Sequence, residues 1–166
     1  MHARTFAIIA AASLAGAPAY AAHARVEFVK PESFTDAGRH YAGGEVEDNL
    51  RRLAGHVTAE AARRLPADQS LDVWVTDVDL AGYYDPRQGF TREVRVVKDI
   101  YPPRIALRFR LTAADGTVVK EGERNLVDLD FLGRAQRYPL GGLGYEKEML
   151  DDWLRNEFQP PRAAAR

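Results

Sequence analysis

The sequence predicts an α+β domain: a largely antiparallel sheet of about five strands with two helices packed on one face, in the order β-α-β-β-β-β-α. Three observations lead there. Residues 45–65 carry one long apolar stripe at helical spacing. Between residues 71 and 128, four segments of strand length follow, two of them joined by an Asp115-Gly116 turn. A second helical stretch, residues 145–158, closes the chain before a Pro-Pro pair.

The first residues have the three parts of an export signal. Arg4 and the free amine form a short positive region. Phe6 to Ala17 is apolar but shorter than the ~20 residues that span a bilayer. Ala19-Tyr20-Ala21 is a small-x-small cleavage site with the cut before Ala22, and Ala22-His23-Ala24 is a second such site. The expectation is a signal peptide at 1–21, one domain at 22–158 and a disordered tail at 159–166, in a protein that is periplasmic or secreted. No later apolar run of that length follows, so no membrane span is expected.

The chain has no cysteine, which excludes disulfides, thiolate metal sites, a cysteine nucleophile and a cysteine-linked lipid anchor. Its core alone must hold it together, and what remains after residue 21 is long enough for a sizeable one. With 23 Lys and Arg against 24 Asp and Glu, no electrostatic case exists for nucleic-acid binding.

In chain order, Arg25 to Val29 alternates and stops at Lys30-Pro31, a short first strand. Residues 31–44 read as a loop. In the helix from Glu45 to Leu65, Val46, Leu50, Leu53, Val57, Ala61 and Leu65 share one face. Its arginines read as a solvated face, Pro66 ends it, and His56 reads as a surface or satisfied side chain. Leu71 to Leu80 is the second strand. Strict alternation puts Leu71, Val73 and Val75 on one face and Trp74, Val78 and Leu80 on the other, which suggests a central strand. Phe90 to Lys98 is predicted as the third strand and Arg104 to Leu111 as the fourth. Thr117 to about Asp128 is the fifth. Residues 132–144 read as a glycine-rich loop. Tyr145 to Phe158 is the second helix, with Met149, Leu150, Trp153 and Leu154 inward.

A two-residue type I′ turn at Asp115-Gly116 fixes a register. Arg110 then faces Glu121, Arg108 faces Glu123, and the Phe109 ring covers Gly122. Lys120 and Arg124 fall on the apolar side and must snorkel from an edge strand, unless a bulge after Val119 relieves them. The arginine row reads as a cross-strand ion-pair face rather than an anion site.

Two Asp-x-Asp pairs, Asp77/Asp79 and Asp128/Asp130, each present two carboxylates on one strand face, and oxygen ligands of that kind suit Ca²⁺ or Mg²⁺. In a four-strand meander the pairs lie at opposite ends of the sheet, so solvated strand ends explain them more simply. Tyr83, Tyr84, Asp85 and Tyr101 lie on loops and form a candidate binding surface, or else a lid over a sheet end. A meander sets these loops, too, at opposite ends. No nucleophile elbow, P-loop, dinucleotide fingerprint or zinc-protease helix is present, and no cofactor is implied.

T-D-V-D-L-A-G at 76–82, V-R-V-V-K-D-I-Y-P-P-R-I at 94–105, A-D-G-T-V-V-K-E-G at 114–122 and Y-E-K-E-M-L-D-D-W at 145–153 together resemble the bacterial DUF3016 family. That resemblance implies an exported protein and assigns no activity, ligand or site residue. The expectation is a non-catalytic binding or envelope-associated module with a protein or small ligand as partner. The alternative is a carboxylate-based or metal-dependent hydrolase around Asp77, Asp79 and Asp85.

Overall fold

The computed structural model describes residues 23–39, 44–84, 95–134, 137–138 and 143–158. The expected signal peptide and the tail at 159–166 lie outside them. Among the described residues six strands and two α-helices form: β1 (His23–Phe28), α1 (Glu45–Arg64), β2 (Gln69–Asp79), β3 (Tyr83–Tyr84), β4 (Arg95–Val96), β5 (Arg104–Ala113), β6 (Val118–Val127) and α2 (Gly144–Phe158). The main sheet has four strands in the order β1-β2-β5-β6, and β3 and β4 make a separate two-stranded ribbon. β1 runs parallel to β2, while β2–β5 and β5–β6 are antiparallel. The α+β class therefore holds, but the sheet is mixed and four-stranded rather than largely antiparallel and five-stranded.

The predicted third strand is where the meander fails. Of Phe90 to Lys98, only Arg95 and Val96 are in a described strand, and they pair with Tyr84 and Tyr83 rather than with the main sheet. Phe90 to Val94 lie outside the described residues. Gly82 is the physical cause. Its φ of +83° turns the chain away from the line of β2, and a Cβ there would stand 2.5 Å from the Val96 carbonyl oxygen. β5 is thus free to pair directly with β2.

A second difference lies within β2. The register shifts between Val75 and Asp77, leaving Thr76 as an extra residue. This bulge reverses the alternation, so Val78 and Leu80 join Leu71, Val73 and Val75 in the core, and only Trp74 keeps its apolar ring on the open face. The strand is central, between β1 and β5, although its two faces are not both apolar.

The hairpin forms by a different route from the one expected. The Gly116 amide donates to the Ala113 carbonyl and the Ala113 amide to the Thr117 carbonyl, both at 2.9 Å, with Gly116 at φ +85°. That is a three-residue loop closed by a left-handed glycine. The offset this introduces is cancelled by a bulge at Val119, after which Leu111 faces Lys120 and the expected pairs Arg110–Glu121, Phe109–Gly122 and Arg108–Glu123 follow. Arg110 and Glu121 are ion-paired at 3.0 Å, whereas no ion pair joins Arg108 to Glu123. A Cβ on Gly122 would meet the Phe109 ring at 3.4 Å, so the ring does cover the glycine. Lys120 and Arg124 snorkel to Glu157 at the end of α2, at 2.6 and 2.7 Å.

Both helices lie on one face of the sheet. α1 contributes Val46, Leu50, Leu53, Val57 and Ala61, and α2 contributes Met149, Leu150, Trp153 and Leu154, all buried with the sheet's inner residues. Phe109 anchors this layer edge-to-face with Trp153 and Phe158, at 5.8 and 5.5 Å between centroids. Apolar burial of this kind is worth about 1.5–3 kcal/mol for each large side chain.

Candidate functional site

Where β2 ends, the ribbon, the loop into β5 and the first turns of both helices converge. There they enclose a cleft of ≈ 370 Å³, with Leu80 and Ala81 among its lining and Tyr84, Arg95, Glu45 and Glu146 contributing polar or aromatic groups. Each of these is positioned by local structure. Tyr84 and Arg95 are direct cross-strand partners in the ribbon, so the guanidinium stacks 4.4 Å above the Tyr84 ring. Glu45 opens α1 and Glu146 lies in the first turn of α2, where a carboxylate suits the positive end of the helix.

Arg95 is the hub. One of its terminal nitrogens donates to both oxygens of Asp36, at 2.9 and 2.8 Å. The other points at the carbonyls of Leu80, Ala81 and Gly82, at 3.2 to 3.3 Å. It thereby satisfies the backbone where β2 leaves the sheet. Asp36 is held in turn by a parallel bridge to Asp79. The Tyr84 hydroxyl donates to Glu45 at 2.6 Å, and Arg39 approaches the same carboxylate at 2.7 Å. Burial pushes the Glu45 carboxyl up, but the hydrogen bonds from Tyr84 and Arg39 outweigh it and hold it below the usual range. Tyr84 is pushed up by burial and by Glu45.

Glu146 is different. It is 3% exposed, one oxygen accepts the Ala81 amide at 2.8 Å, and no ion pair reaches it among the described residues. Burial raises its carboxyl above the ordinary value, against the lowering effect of the backbone hydrogen bonds.

The residues singled out from sequence are placed as follows. Tyr84 faces the cleft, while Tyr83 lies on the other side of the ribbon and packs on Tyr101 at 4.7 Å. The Gly82 amide donates to the Tyr101 carbonyl at 3.0 Å. The two aromatic loops therefore meet at one end of the sheet. The contrary expectation assumed a third main-sheet strand between them, whereas its described part, Arg95 and Val96, pairs with Tyr84 and Tyr83. Asp85 lies outside the described residues.

The acidic pairs show the same topological effect. β2 and β6 both run antiparallel to β5, so Asp77/Asp79 and Asp128/Asp130 end at the same edge, not at opposite ones. They remain apart across β5. Asp77 accepts from the Thr35 amide and hydroxyl at 2.7 and 2.8 Å. Asp79 is opposite Arg104, and its carboxyl is raised by burial and by Asp36 and Asp77. Asp128 accepts the Asp130 amide at 3.1 Å and lies 3.4 Å from Arg134. No group of three or more His, Asp or Glu is placed to hold a metal ion among the described residues.

Sequence reading missed Arg95, Asp36, Glu45 and Glu146 as site residues. Arg95 sits in an ordinary alternating run, and the carboxylates read as helix-start and loop residues. The Gly82 break and the candidate Tyr84 marked the spot.

The structure defines a small α+β domain with a ligand-sized cleft, walled by aromatic and charged groups, at one end of its sheet. The chain belongs to the family described as a protein of unknown function, DUF3016, whose model matches residues 22–156. No curated protein matches it. Among solved structures, a PelC dodecamer variant from Paraburkholderia phytofirmans is similar at 15% identity, covering 82% of this chain and 88% of that one, with a TM-score of 0.31. That likeness is too slight to bear on this chain.

Proposed function

We propose that this chain is an exported, non-catalytic binding module of the cell envelope whose ligand seat is the cleft at the ribbon end of the sheet. The observation that carries this reading is how the cleft's polar groups are engaged. Asp36, Arg95, Tyr84, Glu45 and Arg39 are locked in one chain of hydrogen bonds, ion pairs and a guanidinium–ring stack. Such a chain shapes a wall; it does not set a nucleophile beside a base with reach to a substrate. Export is supported by the order of the N-terminal segments and by the position of the first described strand. β1 begins at His23, so a cut before Ala22 leaves every described strand whole. Among the described residues no helix is long and apolar enough to cross a membrane.

Two measurements test the reading. Expression of the full sequence in a bacterial host, followed by osmotic shock and intact-mass analysis, is expected to give a chain starting at Ala22 in the shock fluid. An uncut chain retained in the cytoplasm overturns the export half. For the cleft, a small-molecule library is screened by thermal shift against the parent protein and Val97→Trp, which places an indole at the rim. Hits that stabilise the parent and not the variant support the seat. Hits that stabilise both equally place binding elsewhere.

A further inference from the structure

The geometry points to a primary ammonium on an apolar or aromatic body as the cleft's ligand, with its charge against Glu146 and its body along Tyr84 and Tyr145. This rests on the cleft being a binding seat and adds the chemical class.

Most polar groups of the lining are already engaged by the protein itself. Arg95 contributes a cation, but its donors go to Asp36 and to three backbone carbonyls. Glu45 is neutralised by Arg39 and bonded by Tyr84. Asn49 donates to the Ala37 carbonyl at 3.0 Å. Glu146 is the exception: buried, lining the cleft, and without a Lys, Arg or His in ion-pair reach among the described residues. A buried carboxylate without a direct ion-pair partner is costly, and a ligand cation supplies at contact what Arg95 supplies only from a distance.

Two further features select the kind of cation. One Glu146 oxygen is committed to the Ala81 amide, so the carboxylate offers a single oxygen rather than a two-pronged face. A compact ammonium suits that geometry better than a forked guanidinium. Tyr84 and Tyr145 both line the cleft; the Tyr84 ring already carries Arg95 at 4.4 Å and Arg39 at 5.4 Å, so it borders the apolar tail, and Tyr145 is the ring left to meet the ammonium. An anionic ligand would meet two carboxylates and an arginine whose donors are already taken.

The competing account is that Glu146 only caps the Ala81 amide. To separate the two, the protein is expressed from the full sequence, purified as the cell delivers it, and titrated by NMR with phenethylamine, 2-phenylethanol and phenylacetate. Glu146→Gln is titrated in parallel, because its amide oxygen still accepts the Ala81 N–H. Phenethylamine is expected to saturate with shifts at Ala81 and Tyr84, the alcohol to bind at least about tenfold more weakly, and Glu146→Gln to lose at least about tenfold in amine affinity. Equal amine affinity in Glu146→Gln, or an alcohol or phenylacetate that binds as well as the amine, overturns the ammonium assignment and leaves the seat standing. If no probe moves a cleft resonance, the ammonium assignment falls, and the Val97→Trp screen judges the seat independently.

Discussion

Glu146 and Asp151 lie five residues apart on one helix, and both are almost fully buried, at 3% and 1% exposure. Their surroundings are opposite. Asp151 receives His56 from α1 at 2.8 Å on one oxygen and the Tyr138 hydroxyl at 2.8 Å on the other, with Arg137 at 3.7 Å. The His56 and Tyr138 rings meet edge-on at 5.2 Å, and Arg137 also grips Glu148 at 2.7 Å. Burial and the bond to Asp151 push Tyr138 up to about 12. Each oxygen of Asp151 is answered from within the protein, and the group clamps α1, α2 and residues 137–138 together. Glu146 borders a cleft with the Ala81 amide on one oxygen and no ion pair among the described residues, Arg95 acting on it only from beyond ion-pair reach. The lesson is that burial of a carboxylate does not mark a site; incomplete pairing next to open volume does.

The comparison breaks most forcefully at Asp151. Replacing it by alanine strands the largely buried His56 side chain and takes a hydrogen bond from the half-buried Tyr138, and should cost about 3–5 kcal/mol. Urea denaturation measures this as a lower midpoint at unchanged slope. A loss below about 1 kcal/mol would mean the clamp is ornamental and that saturation of the carboxylate is no guide to its role.

On the cleft side the largest effect belongs to backbone, not charge. Gly82→Ala forces a side chain onto a φ of +83° and onto the Val96 carbonyl at 2.5 Å. A destabilisation of about 2 kcal/mol or more is expected. NMR should show the Tyr83 and Tyr101 rings moved apart while the hairpin at Gly116 stays as it is. A variant as stable as the parent would show that the ribbon is not pinned by this approach.

Tyr84→Phe removes one hydrogen bond and keeps the ring under Arg95, so about 1 kcal/mol is at stake. It carries a second readout. The Tyr84 bond is the largest of the effects that lower Glu45, so the Glu45 carboxyl should titrate at higher pH in the variant. An unchanged Glu45 titration would assign its lowering to Arg39 instead.

These two regions are unequally legible in the sequence. Both helices can be read because their apolar residues recur at fixed spacing, and α1 runs from Glu45 to Arg64, within a residue of expectation. The register beyond Leu111 can be read because Gly122 needs a ring and Arg110 needs a carboxylate, although the turn that sets it is of another type and the Val119 bulge offsets the difference. The bulge at Thr76 cannot be read. A period-two pattern carries no mark of an inserted residue, so strict alternation sends Val78 and Leu80 to the wrong face. The cleft is hidden for a related reason: it depends on β5 rather than the ribbon lying beside β2, a long-range choice that no local pattern encodes. His56 reads as satisfied, and it is, but its partner lies 95 residues away.

The smallest expected effect also has the opposite sign. Glu146→Gln keeps the acceptor for Ala81 and removes a charge that burial disfavours. In the parent the folded carboxyl holds its proton more tightly than the unfolded one, whose ordinary value is 4.5. The native state therefore binds more protons across the interval above 4.5, and stability falls as pH rises through it. As pH falls past 4.5 the unfolded carboxyl takes up its proton too, and the penalty fades out. Glu146→Gln should thus equal or exceed the parent in stability at pH 7, with the gain shrinking as pH is lowered and nearly gone at pH 4. Asp151→Asn, by contrast, should lose stability at pH 7, because an amide cannot accept from both His56 and Tyr138 on its two ends. Denaturation of both variants at the two pH values decides the matter. A Glu146→Gln that is destabilised at pH 7 would place Glu146 with Asp151, as a carboxylate whose charge the fold already uses, and would leave the cleft without its unanswered group.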